Sequence, residues 1–202
     1  MKQKLLLFCV MIFALNGLYA QRAGIKAGFN LAHSNYAVEG LGITTSNLPR
    51  YQVGVVGEMP LWKSLYLNSG INYTIKGVSL SFLGSDIEFP ISYLEVPVNV
   101  SYKYDLGLAR VFGITGPYVA YGLKAKSTKG KDVNDISFGS NDDEMKRIDY
   151  GLNFGTGIEF EKFSFAVSYG LGLPNLSNMS EETMKNGVLS FTISCLLLNY
   201  GK

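Results

Sequence analysis

Cysteine is scarce in this sequence, and its two cysteines lie where they cannot pair in the mature chain. Cys9 is inside an N-terminal apolar segment that we expect to be removed, which leaves Cys195 alone. A single cysteine forms neither an intramolecular disulfide nor a cysteine cluster that holds a metal ion. Disulfide-stapled scaffolds and zinc-finger folds are therefore excluded, and we expect no metal and no cofactor.

Charge is also low. Charged residues make up 17% of the 202 residues and leave a net charge of +2, whereas soluble domains carry about 25% charged residues. A net charge this small gives little attraction to polyanions, and no basic patch with interleaved aromatic residues occurs. We therefore expect no nucleic-acid partner, and the abundance of Tyr and Phe favours β-structure.

A long hydrophobic run is the third absence. Beyond residue 20 no stretch of 18 or more apolar residues occurs, so no helical membrane span is predicted. The N-terminus has the features of a signal peptide instead: Lys2 and Lys4 precede an apolar core at residues 5–15, and Ala20 is a small residue before the expected cleavage site. We predict a cleaved signal peptide at residues 1–20 and one exported domain at residues 21–202, in which any membrane span has to be a strand.

The sequence does contain alternation with a period of two residues, and it is clearest at residues 149–173. In the first arm, apolar side chains from Tyr150 to Phe160 alternate with small or polar ones, and the pattern resumes at Phe163 after a two-residue turn. Successive side chains of a strand point to opposite faces, so each arm is a two-faced strand. Each arm has about the ten residues that a tilted strand needs to cross a bilayer. The segment is typical of a transmembrane β-hairpin.

The same alternation recurs along the chain and predicts eight strands, at residues 24–33, 51–59, 65–76, 92–104, 110–123, 149–160, 163–173 and 188–200. The connections alternate between long and short, and the long ones are residues 34–49, 77–91, 124–147 and 174–186. Outer-membrane barrels have this asymmetry, with short periplasmic turns and longer loops outside. We also expect a local bulge at Pro97, because proline cannot donate to a strand ladder. The predicted fold is all-β: an eight-stranded antiparallel up-and-down transmembrane β-barrel with its long loops outside the cell.

Charges in the strand bodies indicate which face meets lipid. They lie at the alternating positions that form the polar face of each strand, whereas the positions of the apolar face carry no charge. A lysine or arginine at the lipid midplane costs roughly 2–4 kcal/mol, so this placement indicates an outward apolar band and a polar lumen. A soluble barrel of the lipocalin kind is the alternative, but its outer face would be rich in Lys and Glu. We predict a lumen charge network made of Lys26, Glu58, Lys76, Glu95, Lys103, Asp149 and Glu159.

Four segments resemble a known family: YLEVPVNVSYKY at residues 93–104, GITGPYVAYGL at 113–123, DYGLNFGTGIEF at 149–160 and SYGLGLPNLSN at 168–178. By these motifs and their order, the chain resembles the porin-like, PorT-type family of small outer-membrane β-barrels, which are OmpA-like eight-stranded barrels. The resemblance implies a place in the outer membrane of a Gram-negative bacterium. For some members it also implies a role as a component of a protein-secretion system, and it supplies no catalytic residues.

Two groups of residues have other interpretations. His33 is the only histidine and lies beside Ser34 near a long loop, where a lipid-modifying enzyme would place such residues. Neighbours on a strand point to opposite faces, so the pair is not a dyad by itself. Acidic residues at 142–144, with Asp132 and Asp135, lack the spacing of a calcium loop, and a solvated loop is the simpler interpretation.

We predict a non-enzymatic outer-membrane barrel whose loops serve envelope structure, partner binding or a secretion system. Eight strands leave an interior just wide enough for side chains to fill, so we expect a plugged lumen. A narrow pore for small solutes is the alternative, and a lipid-modifying enzyme comes third. The expected partners are outer-membrane lipid and an envelope or secretion-system protein, and the expected state is a monomer.

Overall fold

The computed structural model describes residues 22–38, 44–82, 85–142, 144–179 and 182–199, so the predicted signal peptide lies outside the described residues. These ranges form ten strands and contain no helix with the length and hydropathy of a membrane span. The strands are β1 (Arg22–Val38), β2 (Thr44–Ser46), β3 (Leu48–Trp62), β4 (Leu65–Phe82), β5 (Ser85–Asp105), β6 (Arg110–Lys129), β7 (Asp132–Ile136), β8 (Ile148–Phe160), β9 (Phe163–Gly172) and β10 (Glu182–Asn199).

Eight of these strands close into a ring in which all neighbours are antiparallel. The order around the ring is β1, β3, β4, β5, β6, β8, β9 and β10, and β10 returns to β1 through pairs such as Phe29 with Phe191. Because β4 pairs with both β3 and β5, the described strands leave no open sheet edge along the wall of the ring. Two short strands extend it, since β2 pairs with β4 and β7 pairs with β6. The prediction of an all-β, eight-stranded up-and-down barrel is confirmed.

The outer surface of the barrel is an apolar band. Along β9 the outward side chains Phe163, Phe165, Val167 and Leu171 are between 38% and 52% exposed, and small or polar side chains alternate with them. The other strands continue the band with Ile25, Phe29, Val53, Ile71, Leu94, Val119, Leu152 and Ile193. A closed barrel with so extended an apolar surface needs lipid around it.

Three short turns lie at one end of the barrel, which we call the turn-side end. Residues 63–64 join β3 to β4, residues 106–109 join β5 to β6, and residues 161–162 join β8 to β9. Lys63 and Glu161 have positive φ angles of 41° and 48°, in keeping with the left-handed conformations that two-residue hairpin loops use.

At the opposite end, which we call the hairpin-side end, the prediction of four long loops is wrong, because paired strands occupy much of them. β4 and β5 remain paired as far as Phe82 and Ser85, so residues 77–91 are mostly a paired hairpin. β6 continues to Lys129 and pairs with β7, which occupies part of the predicted loop at 124–147. β1 and β10 are extended in the same way. Beyond the lipid neither face has to be apolar, so the period-two pattern fades although the backbone groups still pair with each other.

The prediction of a bulge at Pro97 is wrong. The register between β5 and β6 is the same on both sides of Pro97, and it is likewise unchanged between β4 and β5. The ladder is only interrupted beside the proline, where Ser69 Oγ donates a hydrogen bond of 2.8 Å to the Pro97 carbonyl. Proline removes one donor without requiring an extra residue, and a side-chain hydroxyl satisfies the neighbouring carbonyl.

The register shift of β5 and β6 lies elsewhere, between Ser92 and Tyr93. Ser92 is opposite Lys124 and Tyr93 is opposite Gly122, so Leu123 is an extra residue on β6. A bulge of this kind places two residues of one strand against one residue of the partner and changes where the following side chains point.

An apolar core fills the lumen at the hairpin-side end. Wall residues such as Tyr93 and Tyr118 pack there against Met145 and Leu176, which belong to the connections before β8 and after β9. The Lys146 amide donates to the Leu176 carbonyl at 2.9 Å, which fixes one connection to the other. We call this core the apolar plug, and its buried members are Val78, Ile91, Tyr93, Tyr118, Ala120, Ala125, Met145, Leu176 and Met184.

Candidate functional site

Five strands place a cluster of charged side chains inside the barrel near the turn-side end. Glu159 is 2% exposed and meets three cations: Arg22 Nη1 lies 2.7 Å from its Oε1, Lys103 Nζ lies 2.6 Å from its Oε2, and Arg110 also pairs with Oε1. Glu58 pairs with Arg22 at 2.9 Å and with Lys103. These five residues, which we call the turn-side cluster, connect β1, β3, β5, β6 and β8 across the lumen.

A second cluster lies below the apolar plug, and we call it the hairpin-side cluster. Its centre is Lys76, whose Nζ lies 2.8 Å from Glu95 Oε2 and 3.1 Å from Asp149 Oδ2. Asp149 is fully buried and also accepts hydrogen bonds from Asn186 Nδ2 at 3.0 Å and from the Tyr118 hydroxyl at 3.3 Å. The Lys76 ammonium also lies 4.0 Å from the centre of the Tyr118 ring. Lys76 and Asp149 therefore each have an opposite charge and further partners, as burial of charge requires, and Glu95 pairs with Lys76.

A neutral hydrogen-bond network centred on Asn30 links neighbouring strands of the wall between these clusters. Asn30 is fully buried, and its Nδ2 donates to Thr74 Oγ1 at 2.9 Å. Its Oδ1 accepts from Gln52 Nε2 and from Ser190 Oγ, both at 2.9 Å. The network therefore connects β1 with β3, β4 and β10 on the lumen side.

A polar cavity of about 130 Å³ separates the two clusters. Lys26 lines it, and no ion pair joins Lys26 to any carboxylate among the described residues. Asn99 also lines the cavity, and its buried Oδ1 has no hydrogen-bond partner within the ranges that the structure describes. Polar side chains in the middle of the lumen therefore have fewer ion pairs and hydrogen bonds than those at its two ends.

The structure divides the seven predicted network residues between these places. Glu58, Lys103 and Glu159 are in the turn-side cluster, whereas Lys76, Glu95 and Asp149 are in the hairpin-side cluster. Lys26 faces the lumen without a direct ionic partner in the described part of the chain. That these residues act together as a functional network stays a prediction.

Sequence reasoning missed Arg22, Arg110 and Tyr118 as members of the clusters. Arg110 has the same parity as Phe112 and Ile114, which line the cavity, but this strand has the least clear alternation in the sequence. Arg22 points to the same face as Lys26, so a first strand that begins at residue 22 instead of residue 24 includes it.

The Ser34 side chain lies outside the described residues, whereas the His33 side chain is described and contacts Tyr169. His33 is half-buried in the barrel wall, and its Nε2 lies 3.0 Å from the Tyr169 hydroxyl, with the two rings 5.7 Å apart. Both side chains have the outward parity and pack across Gly187, the cross-strand partner of His33. The geometry is that of an aromatic pair filling the space over a glycine.

The acidic residues near residue 140 do not form a metal site within the ranges that the structure describes. No group of three or more His, Cys, Asp or Glu side chains comes together there. Glu144 instead accepts a hydrogen bond of 2.9 Å from the Asn141 amide, and Asp135 pairs with Lys124 at 3.2 Å on the surface. Asp143 lies outside the described residues.

Comparison with known proteins agrees with this architecture. Residues 19–178 match the family described as outer membrane protein beta-barrel domain. No curated protein sequence matches the chain significantly.

Several solved structures are similar at the level of the fold. Ail, the attachment invasion locus protein of Yersinia pestis, is 16% identical with a TM-score of 0.43, over 86% of this chain and 97% of that chain. Neisserial surface protein A is 11% identical with a TM-score of 0.46, over 87% and 99% of the two chains. OprG from Pseudomonas aeruginosa is 14% identical with a TM-score of 0.48, over 87% and 94%.

The family match spans most of the sequence. It agrees with the closed eight-stranded ring, the outward apolar band and the charged lumen that the structure contains. The chain therefore belongs to the family of outer-membrane proteins with a β-barrel domain, and its place is the outer membrane.

Proposed function

We propose that this protein is a non-enzymatic barrel with a closed lumen, which presents its hairpins at the cell surface for envelope structure or for binding a protein partner. The observation that carries the proposal is that both ends of the lumen are occupied. Ion pairs of the turn-side cluster cross one end, and the apolar plug fills the other. A barrel of eight strands has room for little else.

The shape of the hairpin-side end supports a role in presentation. The β4–β5 and β6–β7 hairpins continue as paired strands beyond the apolar band, so their surfaces are ordered before any partner arrives. A preordered surface loses less conformational entropy on binding than a flexible loop does. Val133 on β7 is 53% exposed and offers an apolar contact on such a surface. A place in a secretion system, as in some members of the family that the sequence resembles, is one form of this proposal.

A non-enzymatic role is supported by the state of the one histidine. Its ring nitrogen is engaged by the Tyr169 hydroxyl on the outward face of the wall. Inside the lumen the acidic side chains are held by lysine and arginine, an arrangement suited to structure rather than to proton transfer.

A narrow pore is the second candidate, and the polar cavity between the two clusters is the observation that favours it. Single-protein recordings in planar bilayers distinguish the two functions. We expect the purified wild-type protein to give no steady conductance steps, because ions would have to cross the turn-side cluster and the apolar plug. A sixteen-stranded porin inserted in the same bilayers serves as the positive control. Reproducible, ion-selective steps from the wild-type protein would reject the closed barrel in favour of the pore.

A further inference from the structure

The bulge in β6 changes the outer surface of the barrel near the hairpin-side end. Leu123 is 50% exposed and the Lys124 side chain is 53% exposed, whereas the next residue, Ala125, is buried in the apolar plug. Regular alternation from Ala120 would turn Lys124 into the lumen. The extra residue turns it outward instead, beside the lipid-facing surface.

This lysine borders a surface cavity of about 370 Å³ that spans β3, β4, β5 and β6. One part of its lining is apolar and comes from Tyr73, Ile75 and Leu123. The other part is cationic, and consists of Arg50, Lys124 and Lys126. An apolar surface beside a group of cations matches the two parts of an anionic lipid, its acyl chain and its headgroup.

The cations around this cavity are only partly neutralised. Arg50 pairs with Glu88 at 2.6 Å, and Lys124 pairs with Asp135 at 3.2 Å. Lys126 has no ion pair with any described residue. Exposed ion pairs are weak because water already solvates both charges, so a multiply charged phosphate competes well with the two surface carboxylates.

The position of the cavity along the barrel matches the headgroup level of a leaflet. Leu94, two residues along β5 from the Lys124 partner Ser92, is 42% exposed and belongs to the apolar band. On the other side of the cavity, β6 continues into the polar hairpin that ends at Lys129. The cations therefore lie at the boundary between hydrocarbon and water, where basic side chains contact lipid phosphates.

We propose that this cavity binds a phosphorylated lipid of the outer leaflet. Its phosphate group contacts Arg50, Lys124 and Lys126, and an acyl chain packs on Tyr73, Ile75 and Leu123. The apolar part of the cavity is continuous with the lipid-facing band, which favours a membrane lipid over a soluble anion. The proposal concerns the outer wall and does not depend on whether the lumen is closed.

The test compares lipid binding by the detergent-solubilised full-length mature protein and two double variants, using native mass spectrometry and thermal unfolding. The lipids are bisphosphorylated lipid A, monophosphorylated lipid A and phosphatidylethanolamine. We expect the wild-type protein to bind bisphosphorylated lipid A most tightly. Lys124→Gln with Lys126→Gln should weaken that binding about tenfold or more, since two of the three basic side chains at the phosphate lose their charge. The matched control, Lys129→Gln with Lys131→Gln on the same hairpin, should bind as the wild type does.

Folding of each variant is checked by its heat-dependent mobility in gel electrophoresis, so a loss of binding is read only from folded protein. Inorganic phosphate is the soluble probe, and it should raise the unfolding temperature much less than lipid A does. The proposal is overturned by equal binding of lipid A and phosphatidylethanolamine, by undiminished binding in the Lys124/Lys126 variant, or by an equal loss in the control. Full stabilisation by inorganic phosphate would assign the cavity to a soluble anion and would overturn it as well.

Discussion

At the scale of single residues, Glu159 is the side chain on which most of the turn-side cluster depends. It is buried and pairs with Arg22, Lys103 and Arg110. Glu159→Gln removes the negative charge, which leaves Arg22 and Lys103 with Glu58 alone and Arg110 without an ion pair among the described residues. Removing one partner of a buried ion pair costs roughly 3–5 kcal/mol. We therefore expect the free energy of unfolding to fall by about 3 kcal/mol, measured by urea titration of the protein folded in lipid vesicles.

The matched control for this prediction is Glu88→Gln. Glu88 also pairs with one arginine, Arg50, but its side chain is 38% exposed. Water already solvates such a pair, so its loss should change the free energy of unfolding by less than about 1 kcal/mol. Equal effects of the two substitutions would contradict the view that buried ion pairs hold the lumen closed.

The sequence predicts which residues face the lumen better than it predicts which of them touch. Parity alone places Lys26 and Lys76 on the inner face, and the structure agrees. Parity does not give the height of a residue along the barrel, which depends on strand tilt and register. Lys76 therefore meets two carboxylates, whereas Lys26 has no ion pair in the described part of the chain.

At the scale of the strand, β8 separates lipid from lumen within two residues. Leu152 faces outward and is 37% exposed, whereas Asn153 faces the polar cavity. Leu152→Arg places a cation in the apolar band, which costs about 2–4 kcal/mol near the midplane. We expect a clearly lower yield of folded protein in the membrane fraction, measured by heat-dependent mobility. Asn153→Arg is the control and should be milder, because its side chain enters a polar cavity that carboxylates also line; a larger defect in Asn153→Arg would count against the assignment of the two faces.

The strands themselves are predictable only as far as lipid imposes alternation. Within the apolar band the predicted strand at residues 149–160 nearly coincides with β8, which is Ile148–Phe160. Residues 124–129 of β6 fall in a predicted loop, because the lysines and small residues beyond Leu123 show no two-faced pattern. The bulge at Leu123 has no sequence signal as clear as a proline, since it depends on the relative register of two strands.

At the scale of the whole molecule, closure of the ring is predictable from eight two-faced strands, but the apolar plug is not. Met145 and Leu176 enter the plug from two connections that are far apart in the sequence. They meet only because the ring brings the ends of β8 and β9 to the same rim. Isolated apolar residues in polar connections give no periodic signal, so their burial follows from the tertiary structure alone.

The orientation of the barrel in the outer membrane is the last prediction. We expect the hairpin-side end to face outside, because exported barrels keep their short turns in the periplasm. Lys131, at the tip of the β6–β7 hairpin, and Leu108, which lies in a short turn and is 95% exposed, mark the two ends. In a Cys195→Ser background, Lys131→Cys should react with a membrane-impermeant maleimide on intact cells, whereas Leu108→Cys should react only after the outer membrane is permeabilised. Both cysteines are water-exposed, so the comparison reports the side of the membrane rather than burial. Labelling of Leu108→Cys alone on intact cells would reverse the orientation and would also overturn the proposed site for a lipid of the outer leaflet.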